Sequence, residues 1–262
     1  MRALIISDVH ANYTALEAVL KDAGPVDETW CLGDLVGYGP DPNAVLEEIL
    51  EIPNLTCLLG NHDVAVIGKI PFEAFNGDAR RTLEYHERVL SADNMDFLRS
   101  LQQDLKVRED VSLVHGSPRD SVWEYILNTL AARLNFDHFT TPWCFVGHSH
   151  LQCMFHLDEK TDRVNLRPIK AGEPMKLDGR MIVNPGSVGQ PATATRAPHL
   201  RSTIARQRPG NRAAWFTTFL KCNSASVKPG CPRSMQSELP RGGRFSRQQA
   251  VGRGTFHTWI RL

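Results

Sequence analysis

No apolar run in the 262 residues approaches the roughly 20 residues of a membrane-spanning helix, so no membrane partner is expected. Room for a cleavable leader is also lacking, because Met1–Ser7 runs straight into the first chemically interesting stretch; a cytoplasmic location is expected. Cysteine is sparse. Cys31, Cys57 and Cys144 sit inside apolar strand patterns, where a free thiol behaves as a small hydrophobe, and Cys153, Cys222 and Cys231 have no zinc-ligand spacing. A disulfide framework is thereby disfavoured in a chain of this size. Acidic residues almost vanish from the C-terminal part: residues 191–262 carry 13 Lys and Arg against one acid, Glu238, whereas residues 1–190 carry 17 against 28. The net charge of +1 therefore conceals a −11 part followed by a +12 part. Such a split ordinarily marks an arm for nucleic acid.

What is present is a repeated arrangement. Apolar runs that read as β-strands each end in Asp, Asn or His: Ala3–Ile6 before Asp8-Val9-His10, Trp30–Leu32 before Gly33-Asp34, and Leu55–Leu59 before Gly60-Asn61-His62-Asp63. Val111–Val114 likewise precedes His115-Gly116, and Cys144–Val146 precedes Gly147-His148-Ser149-His150. A lone buried histidine is commonly a hydrogen-bonded core residue, and Gly-Asp is commonly a turn. Five such strand ends in one chain go beyond both readings, because ligands of open α/β sheets collect outside the carboxyl ends of the strands. All five are expected at one edge of one sheet.

Between these strands the helix signals are local. Asn12 is placed to cap a helix through Leu16, Val19 and Leu20, and Asp41-Pro42 starts another through Val45, Leu46 and Ile49. Residues 64–110 break the alternation with two helical patterns, one through Arg80, Leu83, Glu87 and Leu90 and one starting at Ser91, expected to form a cap near the site. Arg80 and Arg81 either face bound phosphate or lie on a solvated helix face. Trp123-Glu124-Tyr125 either walls a cleft or packs on the cap. Shorter β-like runs at 152–156, 164–166 and 181–184 read as a second sheet packed on the first.

Written together, D-x-H, G-D, G-N-H-D, H-G and G-H-x-H, with G-D-L-V-G-Y-G-P at Gly33–Pro40, closely resemble the calcineurin-like metallophosphoesterases, in particular their compact bacterial branch. The resemblance covers residues 1–191. It implies an α/β fold of four layers, α/β/β/α, with two metal ions at the strand ends. Asp8, His10, Asp34 and His150 would hold one ion, and Asp34, Asn61, His115 and His148 the other, with Asp34 bridging. Nitrogen and hard oxygen donors without thiolate suit Mn²⁺, Fe or Zn²⁺, with Mn²⁺ the ion to supply in vitro. Two such ions about 3.5–4 Å apart bind phosphate oxygens and bring the pKa of a shared water toward roughly 7. The resemblance thus implies direct attack of water on a phosphomonoester or phosphodiester, with His62 protonating the departing oxygen or stabilising its charge, and Asp63 orienting that imidazole. The alternatives are a non-catalytic interaction scaffold of the same fold and a nucleic-acid binder acting through the basic tail.

The resemblance stops after Pro191. The family phrase close to R-D-G-D-P-R-A-S-F-A is replaced by Ala192–Arg201, which matches none of it. Read one nucleotide back, however, codons for Ala192–Arg201 permit that phrase throughout, with two of three bases fixed at each step. A frameshift near Pro191 is therefore expected. Residues 192–262 are then a basic tail out of frame and disordered, the last strands of the second sheet are lost, and nucleic acid is not a specific partner. The tail's Arg, Gly, Pro and Ser content and missing periodicity agree with this.

Overall fold

The computed structural model describes residues 2–169 and 174–190, together with the backbone of 214–223 and 253–261. β1 (Arg2–Ile6), β2 (Glu28–Cys31) and β3 (Leu55–Cys57) are parallel neighbours, joined by α1 (Tyr13–Ala23) and α2 (Pro42–Leu50). The Asn12 side chain caps α1 by accepting from the Ala15 amide at 3.1 Å, and Pro42 opens α2. The quartet after β3 does not stay a turn: α3 (Asn61–Val66) begins within it. The cap then contributes α4 (Gly77–Val89) and α5 (Ala92–Ser100), and Ser91 accepts from the Asn94 amide at 3.2 Å.

The chain continues through β4 (Asp104–Lys106), β5 (Val111–Val114), α6 (Thr129–Asn135), β6 (Trp143–Phe145), β7 (Cys153–Asp158) and β8 (Arg163–Pro168). It closes with β9 (Pro174–Leu177), β10 (Arg180–Asn184), β11 (Ala214–Asn223) and β12 (Arg253–Arg261). Among the described residues one six-stranded sheet runs β3-β2-β1-β12-β11-β9 and the other β4-β5-β6-β10-β7-β8.

Strand alternation explains the layering. Ala3, Ile5, Trp30 and Leu32 point from the first sheet onto Val111, Leu113, Phe145, Met181 and Val183 of the second, forming the core between the sheets. Leu4, Ile6 and Cys31 point the other way, onto Leu16, Val19, Val45, Leu46 and Leu83 of the helices. Cys144, Phe155 and Ile182 likewise pack on Ala132 and Phe136 behind the second sheet. The result is the α/β/β/α sandwich, with each fully buried large apolar side chain contributing about 1.5–3 kcal/mol.

Three expectations change. The five ligand-bearing strand ends do not share one sheet: β1, β2 and β3 belong to the first, β5 and β6 to the second, and the ends meet across the sandwich. Among the described residues the second sheet has six strands, all before Pro185, and no late strand is added to it. Late strands enter the first sheet instead, where β12 pairs antiparallel with β1 from Arg2↔Arg261 to Ile5↔Thr258. The disorder and frame expected for 192–262 otherwise fall outside the described residues.

Candidate metal centre

The turn after β1 hooks onto the turn after β2 by amide-to-carbonyl bonds from Asp8 to Gly33 (3.0 Å), His10 to Asp34 (2.8 Å) and Ala11 to Leu35 (2.7 Å). Across the sandwich the His148 amide donates to Asp8 Oδ1 at 3.1 Å, and within the second sheet Gly147 donates to the His115 carbonyl at 2.8 Å. Asp8, His10, Asp34, His148 and His150 all have left-handed backbones, with φ between 49° and 61°. Non-glycine residues rarely adopt this region, and such strain gathers where function over-determines the backbone.

These constraints bring the seven expected ligands together. Asp8, His10, Asp34 and His150 converge with donor atoms within 4.8 Å of one another, and Asp34, His115 and His148 form a second such group. Asn61 joins the second group, its Oδ1 3.1 Å from His115 Nε2. Asp34 Oδ2 stands between the groups, 3.7 Å from His10 Nε2 and 3.4 Å from His115 Nε2. Its other oxygen accepts from the His62 amide at 2.9 Å.

Ring orientation is fixed from behind. His10 Nδ1 donates to the Val36 carbonyl at 3.0 Å, His115 Nδ1 to Leu32 at 2.9 Å, and His150 Nδ1 to Gln190 at 2.8 Å. In each case Nε2 is left to face the carboxylates, the arrangement that sets tautomer and basicity in metal-binding histidines.

The electrostatics suit a bound cation. Burial would push Asp8 upward, but His150 and His115 beside it hold it at about 2. Asp34 is likewise held well below the carboxylate range, with burial outweighed by His115 and His62. Burial would depress His115, yet the Asp34 charge lifts it to about 9. Asp8 Oδ2 is buried with no hydrogen-bond partner. Two buried carboxylates, one with an unpartnered oxygen, facing imidazole nitrogens are a donor set that fits divalent ions of the Mn, Fe or Zn kind.

His62 lies beside this centre without joining either group. Its ring centroid is 4.9 Å from that of His10 and 5.0 Å from those of Tyr38 and Phe75, and its Nδ1 is buried without a partner. Asp63 does not orient it, which corrects the sequence reading. Asp63 Oδ1 accepts from the Leu35 and Val36 amides at 2.9 and 3.1 Å, and Oδ2 from the Gly60 amide at 2.9 Å. Because α3 starts at Asn61, the third helical residue points back to the helix start, and Asp63 becomes a cap that ties α3 to the turn after β2. Burial and the nearby Asp34 charge push its carboxyl up to about 7 against those three donors.

Other side chains went unnoticed in sequence. Buried His86 on α4 accepts from the Gly37 amide through Nδ1 and donates to the Gly39 carbonyl through Nε2, both at 3.0 Å. Its signal was helical phase, since Ala79, Leu83 and His86 share the buried face of α4. The turn Asn184–Gln190 is a brace: Ser187 Oγ donates to the Asp8 carbonyl at 2.9 Å, and the Gly189 amide does the same at 2.9 Å. Arg80 and Arg81 do not face the centre as phosphate ligands; Arg80 pairs with Glu73 and Glu84, and Arg81 with Asp78. Of the two readings for the aromatic segment, packing on the cap holds for Trp123. Trp123 meets Phe75 of the cap at 5.2 Å and offers its carbonyl to His148 Nε2 at 3.3 Å, while Tyr125 stacks on the His148 ring at 3.8 Å.

A sandwich with this two-group centre at its strand ends defines a phosphoesterase of the calcineurin type. The sequence profile of the calcineurin-like phosphoesterase superfamily domain matches residues 1–205, and the chain belongs to that superfamily of hydrolases. A metallophosphoesterase from Sphaerobacter thermophilus shares 43% identity and superposes with a TM-score of 0.65 over 82% of each chain. An uncharacterised protein of Methanocaldococcus jannaschii is 33% identical over 195 residues, which is 71% of this chain and 76% of that one. A symmetrical bis(5'-nucleosyl)-tetraphosphatase of Photorhabdus laumondii is 38% identical over 72 residues, 26% of each chain. Among the described residues no helix is long and apolar enough to cross a membrane.

Proposed function

We propose that this protein is a cytoplasmic, dinuclear metal-dependent phosphoesterase that hydrolyses a phosphomonoester or phosphodiester by direct attack of water. The observation that carries this reading is Asp34 Oδ2, placed between the His10 and His115 nitrogens so that one carboxylate serves both ligand groups. Asp8, His10, Asp34 and His150 would hold one divalent ion, and Asp34, Asn61, His115 and His148 the second. When bound, such a pair supplies Lewis acidity toward phosphate oxygens and an activated water at neutral pH.

The chain's own groups do the rest. The fixed imidazoles and the Asp8–His148 bond hold the centre rigid across the two sheets, which keeps a phosphate ester oriented for in-line displacement. His62 is neutral in the free site, since burial pushes it down to about 3 and the Asp34 charge restores only part of that. The negative charge of a bound phosphate ester favours its protonated form, and its imidazole then passes a proton to the departing oxygen.

With Mn²⁺ supplied, the protein is expected to turn over an aryl phosphate or its diester; a folded, metal-loaded sample inert on both would favour the scaffold alternative. His62→Ala is expected to keep normal metal content and to lower kcat by about 10²–10⁴-fold on alkyl esters, with a much smaller loss on nitrophenyl esters, whose leaving group needs no proton. Asp34→Asn is expected to impair binding of both ions. Loss of metal in the His62 variant would show it to be a ligand.

A further inference from the structure

Trp123 and Tyr125 pose a physical question. They are 37% and 50% exposed, and neither belongs to a hydrophobic core among the described residues, so core packing does not account for them. Both stand at the centre. Tyr125 lies flat on the ligand His148, its ring 3.8 Å away and tilted by 17°. Trp123 continues a row of rings that starts at His62, passes through Phe75 at 5.0 Å and reaches the indole 5.2 Å further on. The segment is also held firmly: Glu124, between the two aromatics, binds Ser117, Arg119 and Asn135. Charged partners for a larger anion are committed elsewhere, with Arg80 and Arg81 on acids of the cap and Arg119 on Glu124.

We infer that Trp123, Tyr125 and Phe75 form a stacking platform for a planar aromatic group on the ester, so that the substrate is a phosphate ester of an aryl or nucleoside moiety. This inference rests on the phosphoesterase reading, since it needs the phosphate at the metal centre. An ester substituent that leaves a phosphate placed there past His62 or His148, the two side chains the rings flank, would meet these rings. A flat π-face then gains by stacking on exposed indole and phenol, whereas a small alkyl or polyol group gains little. Stacking on one such ring changes affinity by roughly tenfold or more.

The test measures binding, independently of turnover, by calorimetry on the full Mn²⁺-loaded protein. The probes are methylphosphonate, phenylphosphonate and the phosphonate analogue of adenosine 5'-monophosphate, none with a hydrolysable ester bond. The two aromatic probes are expected to bind at least about tenfold more tightly than methylphosphonate. Trp123→Leu, which keeps the backbone carbonyl that meets His148, is expected to remove most of that advantage and to leave methylphosphonate affinity unchanged. A clear preference for the adenosine probe over the phenyl one would identify the group as a nucleobase, and the reverse as a simple aryl. Equal binding of all three probes, or an equal loss for all three in Trp123→Leu, would overturn the platform while leaving the phosphoesterase reading intact. Failure of all three to bind the loaded protein would sink both.

Discussion

Replacing Gly60 by alanine drives a methyl group into the carboxylate that both ligand groups share. A Cβ at Gly60 would lie 2.0 Å from Asp34 Oδ1, 2.3 Å from the Asp34 backbone nitrogen and 2.6 Å from its Cγ. Ordinary carbon contacts lie at about 3.5–4.0 Å, so about 1 Å of relative movement is required. Rotating the Asp34 side chain cannot supply it, because the backbone nitrogen stays in place; α3 must move off the end of β2. Asn61 and His62 follow Gly60 directly and move with it. Metal distances tolerate only about 0.2 Å, so the Asn61–His115 pair ceases to match one ion. The expected stability loss is about 1–3 kcal/mol, and Mn²⁺ affinity is expected to fall by about 10–100-fold. Gly77→Ala is the control, since it makes the same change at the first residue of α4 with nothing within 4 Å. Melting curves and Mn²⁺ titrations of both variants measure these effects. A Gly60→Ala protein with normal Mn²⁺ affinity would refute the packing argument, as would a Gly77→Ala protein equally damaged.

Two further perturbations address the supports of the site. His86→Ala strands the Gly37 amide and the Gly39 carbonyl, each costing about 1–3 kcal/mol if left unpaired; a lower urea midpoint and a lower kcat with unchanged Mn²⁺ content are expected, and lost metal would contradict it. For Glu124, burial is outweighed by hydrogen bonds from Arg119, Ser117 and Asn135, which hold its carboxyl at about 2 against an ordinary 4.5. Its folded pKa is depressed, so its contribution is present above about 4.5 and lost as pH falls toward 2. The side chain is 18% exposed, and solvent screening reduces that contribution to about 1–2 kcal/mol. Urea midpoints of the native protein and Glu124→Gln should therefore approach each other as pH falls from about 4.5 toward 2; parallel curves would refute the assignment.

Much of the centre was legible because its chemistry is tied to strand ends. An apolar run of three to five residues followed by Asp, Asn or His marks both where a strand stops and which donors it delivers, and the family resemblance then separated the seven expected ligands from His62 and Asp63 among them. What strand ends do not encode is which sheet each strand joins, so β5 and β6 were assigned to the wrong one. Asp63 was misread for a different reason. In sequence it adjoins His62, but helix geometry turns the third residue of α3 back toward Gly60, and only the structure shows that a helix starts there. His86 stayed hidden because a single polar residue on an amphipathic helix is visible only once the buried face is known. Tyr125 and Trp123 were visible as aromatics, yet their stacking depends on a loop fixed by Glu124, a contact with no sequence period.

The Asn184–Gln190 brace bears on how much chain the site needs. Gly189 bonds the Asp8 carbonyl and Gln190 the His150 ring, so among the described residues the last contact that shapes the centre comes one residue before Pro191. The family match nevertheless continues to residue 205, and β1 is an interior strand that requires an antiparallel partner. We propose that the in-frame continuation, beginning Arg-Asp-Gly-Asp after Pro191, supplies that partner better than the sequence now read from Ala192. A chain ending at Pro191 should bind Mn²⁺, melt at lower temperature and self-associate through the unpaired edge of β1. The frame-restored chain should melt above the 262-residue one and stay monodisperse under conditions in which the truncated chain associates. Resequencing the gene at the Pro191 codon checks the premise directly. If no one-base discrepancy exists, and if residues 192–262 resist protease while the restored chain gains no stability, the present tail is native sequence and the frame argument is wrong.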